Sequence, residues 1–160
     1  MRLSLTRRSE YGIRALVHMA GLPREERVTA VELAEACDIP AGNVPTIMNI
    51  LSRAGILRCT PGRGGGCTLA LDPAEISMLD IIESLEGRLD LSHCLLDSRR
   101  CDDHNPECAV HVAWSRGRGA AISSLARTSL AETAVRQKEI SRVLARRAKI
   151  AKKKAVAANR

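Results

Sequence analysis

The sequence predicts a mainly α-helical protein, and three observations support this. Phe is absent and Tyr11 and Trp114 are the only aromatic residues, so the core must consist of Leu, Ile, Val, Ala and Met. These residues suit helices better than a β-sandwich, and most segments place them at helical spacing. A length of 160 residues fits one small domain with an appended assembly element.

The first two helices are predicted by their N-terminal caps. Thr6 is a good cap for a first helix, whose core-facing stripe is Ile13, Leu16, Val17 and Ala20. Thr29 and Glu32 have the spacing of a capping box before a short second helix that ends ahead of Pro40. Cys37 lies near its end, where burial as a small hydrophobic residue is expected.

A third helix follows closely and completes a helix-turn-helix. Asn43 is its predicted N-cap, Pro45 falls in its first turn, and Gly55 is placed to close it. The inward residues are Val44, Ile47, Met48 and Leu51. The outward side chains, which are candidates for contact with DNA bases, are Asn43, Thr46, Asn49 and Arg53.

The next segment predicts a wing, because ILRCT and CTLAL flank the glycine-rich PGRGGG. Arg63 is the only large side chain at its tip and is a candidate for contact with a minor groove or a phosphate. A plain glycine turn with a solvated arginine is the alternative. Cys59 and Cys67 lie on the flanking strands, where core packing is favoured over metal ligation.

Three further helices are expected in the second half. The fourth begins at Ser77, with Asp80 completing its cap, and ends at Gly87. The pattern becomes helical again over residues 109–126, with glycines at 117 and 119 that mark a kink, a close helix crossing or a weak point. A last helix is predicted over residues 130–144, followed by a frayed, solvated end.

Charge is distributed unevenly along the chain. The net charge is +7, but eight of the 25 Lys and Arg residues lie in residues 141–160, the basic tail. The first 140 residues therefore carry 17 basic and 18 acidic side chains, so DNA binding there must depend on locally placed arginines. No apolar segment has the length of a membrane span and no signal peptide is evident, so we expect a cytoplasmic protein without a membrane partner.

The segment CLLDSRRCDDHNPECAVHVAW contains the candidate metal ligands. Cys94, Cys101 and Cys108 are evenly spaced, and His111 follows the last of them. The polar residues and proline between them argue against a loop ordered by apolar packing. Thiolates select zinc, copper(I) or iron–sulfur clusters, and the wide, even gaps without a CxxC knuckle favour a cluster over zinc, with metal-free thiols as the remaining alternative.

Taken together, GRGGGCTLALDPAEISMLDIIESLEG, the three cysteines and CAVHVAW resemble the family of bacterial winged-helix regulators that includes IscR, NsrR and RirA. The resemblance implies a winged helix-turn-helix domain with a long C-terminal dimerisation helix, a homodimer, and an iron–sulfur cluster that changes affinity for double-stranded promoter DNA. It divides the chain into a DNA-binding domain (1–76), a connecting helix and cluster loop (77–108), dimerisation helices (109–140) and the basic tail (141–160).

The same resemblance implies that the cluster ligands are Cys94, Cys101 and Cys108, with His111 as the fourth. An NsrR-like arrangement would place the fourth ligand at Glu10. His111 is favoured because imidazole is the softer donor and lies one helical turn from Cys108. The gaps between the cysteines are longer than those usual in IscR, so both a 2Fe–2S and a 4Fe–4S cluster remain possible types.

The function expected from the sequence is a dimeric DNA-binding transcription regulator, a repressor, that senses redox state, nitric oxide or iron supply through an iron–sulfur cluster. A thiol-based or zinc-stapled regulator without a cluster is the alternative. An iron–sulfur electron carrier is a remote third. An enzyme is not expected, because no substrate-binding or acid–base constellation accompanies the cysteines.

Overall fold

The computed structural model describes residues 5–88 and 109–158. Within them the chain forms six helices and one two-stranded sheet, and the mainly α prediction is confirmed. The elements in chain order are α1 (Arg7–Met19), α2 (Ala30–Cys37), α3 (Val44–Arg53), β1 (Leu57–Thr60), β2 (Gly66–Leu69), α4 (Met78–Glu86), α5 (His111–Arg127) and α6 (Leu130–Ala158).

A single apolar core is formed by the four helices α1–α4, the sheet and the first residue of α6. Leu16, Leu33, Leu51, Ile81 and Leu130 are all fully buried in it. The start of α6 is held there by backbone hydrogen bonds to the segment before α4, among them Leu130 N–H to the Ile76 carbonyl at 2.8 Å. The core therefore crosses the boundary expected after residue 76, and the division into four segments stays a prediction.

The helices begin and end largely at the predicted residues, where local hydrogen bonds cap them. Both capping boxes, Thr29 with Glu32 and Ser77 with Asp80, are present, and Thr6 accepts from a backbone N–H of α1. Asn43 is an exception. It holds the N-cap position of α3, but its side chain makes no cap hydrogen bond because its backbone is already in the right-handed helical region.

The N-terminus of α1 is tied to the end of α4. The Thr6 N–H donates to a Glu86 carboxylate oxygen at 2.8 Å, which places a negative charge at the start of α1. The buried Ser9 hydroxyl beside this carboxylate, and then Thr6, lower the pKa of Glu86. These residues link the two helices through polar contacts at the edge of the core.

The buried face of α1 is rotated from the predicted stripe. Leu16 is buried as expected, but Ile13, Val17 and Ala20 are only half-buried. Three of the five buried positions of α1 are held by the small residues Ser9, Gly12 and Ala15, and a Cβ added at Gly12 would lie 2.5 Å from Leu85 Cδ1. Small side chains let α4 approach α1 closely, a property that apolar periodicity does not reveal.

The predicted wing is an antiparallel hairpin in which Cys59 faces Cys67 across the two strands. The expectation that both cysteines pack in the core is wrong for Cys59, which is exposed, whereas Cys67 is buried. The two side chains are joined by a disulfide bond. Leu71, the last residue of the CTLAL segment, is exposed and lies beyond the end of β2.

The C-terminal helices are more continuous than predicted. α5 runs through Gly117 and Gly119, and a Cβ added at either meets nothing within 4 Å, so neither marks a close crossing of described residues. α6 has 29 residues, and at 1.5 Å per residue it is about 43 Å long. The predicted frayed end is wrong as far as Ala158, because Ala, Lys and Arg are strong helix formers. None of the described helices is long and apolar enough to cross a membrane.

Candidate nucleic-acid interface and metal ligands

The turn between α2 and α3 is fixed from both sides. Asp38 ends α2 in the left-handed conformation, with φ 50°, and the N–H of buried Ile39 donates to the Ala34 carbonyl at 2.9 Å. From α1, the Arg14 guanidinium donates to the backbone carbonyls of Cys37 and Asp38. A cation at this helix C-terminus is favourable, so Arg14 helps to hold the angle at which α3 leaves the turn.

The outward face of α3 presents the side chains that the sequence singled out. Val44, Ile47, Met48 and Leu51 are buried, as predicted. The four candidate DNA-contacting side chains on this helix are all exposed: Asn43, Thr46, Asn49 and Arg53. Asparagine and arginine can make paired hydrogen bonds to base edges in a major groove, so this face has the chemistry of a recognition helix.

The wing tip is shaped by glycines and carries the predicted arginine. Gly62 and Gly64 have φ of 94° and 72°, a conformation that other residues rarely adopt. Arg63 stands exposed between them. Arg58 is also exposed, on β1 next to the buried Leu57. Sequence reasoning overlooked Arg58, although the alternation of Leu57 and Arg58 indicates a strand with one buried and one solvent face.

The charge of this region differs from that of the rest of the fold. Residues 43–71 contain three arginines, Arg53, Arg58 and Arg63, and no Lys, Asp or Glu. None of the three forms an ion pair within the part of the chain that the structure describes. The helix and the wing thus form one uniformly positive surface, whereas the rest of residues 1–140 carries 14 basic and 18 acidic side chains. Phosphates attract such a surface at short range.

The candidate metal ligands are only partly described. Cys94, Cys101 and Cys108 lie outside the described residues. His111 is the first residue of α5 and is buried, and its Nε2 lies 3.5 Å from the Ser115 hydroxyl. Residues 5–88 and 109–158 contain no group of three His, Cys, Asp or Glu residues able to hold a metal ion. The three cysteines immediately before His111 would have to supply the other donors.

Glu10, the alternative fourth ligand, already has partners. One of its carboxylate oxygens is 3.3 Å from Arg7 and the other is 3.7 Å from Arg14. The side chain is about half exposed, on α1. α1 and α5 both pack against α4, so Glu10 and His111 belong to elements with a common neighbour.

Cys37 is a buried thiol with a packing role. Its sulfur lies 3.7 Å from the Arg14 carbonyl oxygen, and desolvation raises the pKa of the thiol, with Arg14 acting in the opposite direction. A buried, neutral thiol is a poor nucleophile and a poor metal ligand. Its predicted burial is confirmed.

Comparison with known proteins identifies the family and supports the fold. The family model for Rrf2, described as an iron-dependent transcriptional regulator, matches residues 5–136. CymR (YrzC), the global cysteine regulator of B. subtilis, is 25% identical with a TM-score of 0.70, over 84% of this chain and 98% of CymR. CymR of Staphylococcus aureus is 26% identical with a TM-score of 0.63, over 81% of this chain and 96% of that one.

A third solved structure supports the winged fold alone. IscR of T. potens is 22% identical with a TM-score of 0.66, over 86% of this chain and 90% of IscR. These matches confirm the winged helix-turn-helix with a long C-terminal helix. Rrf2 proteins are transcription regulators, not enzymes, and they bind DNA, typically as dimers. Since the family match spans most of the sequence, this chain belongs to the Rrf2 family of transcriptional regulators.

Proposed function

We propose that this protein is a homodimeric repressor that binds double-stranded promoter DNA and senses redox state, nitric oxide or iron supply through an iron–sulfur cluster. The observation that carries the DNA-binding part is the uniformly positive surface of α3 and the wing. It combines exposed hydrogen-bonding side chains with three arginines and no acidic residue.

The DNA contacts divide into two kinds. Asn43, Thr46 and Asn49 are short polar side chains suited to base edges, where hydrogen bonds discriminate between sequences. Arg63 at the wing tip and Arg53 at the end of α3 are suited to phosphate or to the minor groove. In a dimer, the two α3 helices would read half-sites about 34 Å apart, or a multiple of that distance.

The long helix supports dimerisation. Beyond the core contacts at its start, α6 exposes apolar side chains spaced three and four residues apart: Ile140 at 47%, Val143 at 51% and Leu144 at 56% exposure. Such spacing places them on one face of the helix. A second copy of the chain is the partner we assign to this face, since it would remove these side chains from water.

The donor set fits an iron–sulfur cluster better than a hard cation. Cys94, Cys101 and Cys108 would supply three thiolates and His111 an imidazole nitrogen, a set in which His replaces one of the usual four cysteines. When bound, such a cluster supplies a redox-active centre that also reacts with small oxidants. His111 is buried at the first turn of α5, a rigid element suited to holding a ligand in place.

The choice of His111 over Glu10 rests on what each side chain already does. Glu10 balances Arg7 and Arg14, and its withdrawal would leave both arginines without that partner. His111 follows Cys108 by three residues, so coordination by both requires no rearrangement of α1. Its influence would reach the recognition helix through α4, which packs against both α5 and α3.

Two ligand variants and a DNA titration test this proposal. Protein prepared without oxygen should be coloured, with a Mössbauer spectrum that gives the number of irons. His111→Ala should lose the cluster and His111→Cys should retain it, whereas Glu10→Ala should leave retention unchanged. Cluster-containing and cluster-free protein should differ in promoter affinity by about 5- to 150-fold at fixed salt, the range of ordinary allosteric coupling. Equal affinities would refute the sensing mechanism.

A second candidate is a thiol-based or zinc-stapled regulator without a cluster. It is favoured by the disulfide between Cys59 and Cys67. It is also favoured by the similarity to S. aureus CymR. The structure of the oxidized form of that protein is 24% identical to this chain in sequence, with a TM-score of 0.64. Colourless protein that contains stoichiometric zinc, or no metal, and still binds promoter DNA would establish this alternative.

A further inference from the structure

The two wing cysteines occupy the register position at which opposite side chains lie closest. Cys59 and Cys67 are direct partners on β1 and β2, with Cα atoms 4.1 Å apart. The N–H and carbonyl of Cys67 both bond to Val28, at 2.9 and 3.0 Å, so they point away from β1. The pair is therefore a non-hydrogen-bonded one, and breaking its sulfur–sulfur bond removes no backbone hydrogen bond between the two strands.

The disulfide adds little stability to the hairpin beyond what its backbone hydrogen bonds already provide. Its cysteines are eight positions apart, and backbone hydrogen bonds already close this short loop. Short loops gain least from a cross-link in the chain-entropy account of disulfide stabilisation. Proteins that act on chromosomal DNA work where thiols are kept reduced, and disulfides that form there are mostly transient and redox-sensing.

The surroundings of the pair suit reversible chemistry. Cys59 is exposed to small oxidants and reductants, whereas Cys67 is buried behind it. Arg58 precedes Cys59, and residues 43–71 contain no acidic side chain, so the local charge favours a thiolate anion at this position. Cys37 offers a contrast, since its buried thiol has no second sulfur bonded to it.

We propose that Cys59 and Cys67 form a reversible dithiol–disulfide site, with hydrogen peroxide as oxidant and small dithiols as reductant, that sets the DNA affinity of the wing. In the forward step the Cys59 thiolate attacks one oxygen of hydrogen peroxide and the O–O bond breaks. This gives a sulfenic acid at Cys59 and releases hydroxide, which takes up a proton to become water. The Cys67 thiol then displaces the sulfenic oxygen as a second water. Two electrons pass from the sulfurs to the peroxide, and a dithiol reverses the step by thiol–disulfide exchange.

The state of the pair is transmitted to Arg63 over a short distance. Only one residue pair, Thr60 with Gly66, separates the two cysteines from the tip that carries Arg63. Two unbonded sulfur atoms sit about 1.5 Å farther apart than bonded ones, so reduction releases the exposed Cys59 side chain and allows the base of the wing to spread or twist. The disulfide form holds the glycine-rich tip in one arrangement, and this preorganisation favours the oxidised protein as the tighter DNA binder.

Peptide mapping tests the redox site by itself. Trypsin cleaves after Arg58, Arg63 and Arg88, which places the two cysteines in separate peptides, 59–63 and 64–88, with no other cysteine in either. After treatment of the full chain with peroxide, the two peptides should be recovered as one linked species. A dithiol should separate them. Recovery of unlinked peptides from peroxide-treated protein would overturn the proposal.

Promoter titration tests the consequence, which rests on the proposed DNA-binding function. Oxidised wild type should bind at least about 5-fold more tightly than Cys59→Ser under the same oxidising treatment, and the two should bind equally when reduced. Both proteins retain Cys94, Cys101 and Cys108, so a change at a cluster affects their DNA affinities alike. Cys37→Ala should respond like wild type.

The outcomes separate the two proposals. Equal affinities of oxidised wild type and oxidised Cys59→Ser, alongside a linked peptide in the wild type, would overturn the coupling to DNA. Absence of promoter binding in every redox state would instead overturn the proposed DNA-binding function, and the peptide map would still decide whether the cysteines react. Circular dichroism of Cys59→Ser should match wild type, because the replaced side chain is exposed.

Discussion

Replacing Arg63 by Ala isolates the electrostatic part of DNA binding. The side chain is exposed at the wing tip and forms no ion pair with another described residue, so its removal should leave the fold intact. A dimer presents two copies, and each phosphate contact contributes about 0.9 to the dependence of log affinity on log salt. The variant should therefore show a slope shallower by about 1.8.

This difference is large enough to measure with promoter DNA. Between about 50 and 200 mM salt, a change of about 1.8 in slope means that the wild type loses roughly 12-fold more affinity than the variant. Fluorescence anisotropy at four or five salt concentrations would give both slopes. The variant should also bind more weakly at low salt and approach the wild type as salt rises.

Two controls make the result specific to the wing. Arg63→Lys keeps the charge and should recover most of the slope, whereas Arg127→Ala should leave it unchanged. Arg127 is an exposed residue of α5, which packs mainly against α4. An Arg63→Ala variant with the wild-type slope would refute the assignment of the wing tip to DNA.

Three further predictions concern specificity, packing and pH. Asn49→Ala should cost about 1–3 kcal/mol on the specific operator and little on random DNA, as measured by competition titration. Gly12→Ala should lower the free energy of unfolding by about 1–3 kcal/mol in urea, because the new Cβ would collide with Leu85, whereas Gly117→Ala in open space should raise it by about 1 kcal/mol. Folding lowers the pKa of Glu86 below its usual value of 4.5. The ionised carboxylate therefore stabilises the folded protein above pH 4.5, and this stabilisation is lost as the pH falls through the pKa of Glu86 in the folded protein. The stability advantage of wild type over Glu86→Gln should therefore shrink between about pH 7 and pH 3, and an advantage that grows would contradict the assignment.

The features that the sequence predicts best are those determined within a few residues. The capping boxes at Thr29 and Ser77 are read from spacing alone, because the interacting groups lie within one helical turn. The inward and outward faces of α3 follow equally from helical periodicity. The predicted exposure of the candidate DNA-contacting side chains is therefore confirmed, while their contact with DNA stays a prediction.

The features that were missed depend on contacts between distant segments. Cys59 meets Cys67 because of the strand register, and a glycine-rich loop does not fix that register in the sequence. The rotated face of α1 depends on how closely α4 approaches Gly12. The continuation of α6 was missed for another reason, since its apolar stripe ends near Leu144 although the residues beyond it favour helix.

The position of Arg14 limits how a Glu10 substitution can be interpreted. The same guanidinium faces the Glu10 carboxylate and donates to the carbonyls that close α2. Removing the Glu10 carboxylate therefore changes the electrostatic environment of Arg14 at the turn between α2 and α3, even if Glu10 never binds a metal. A Glu10 variant with altered promoter affinity is informative about coordination only when Arg14→Lys, which leaves the acid in place, has been measured beside it.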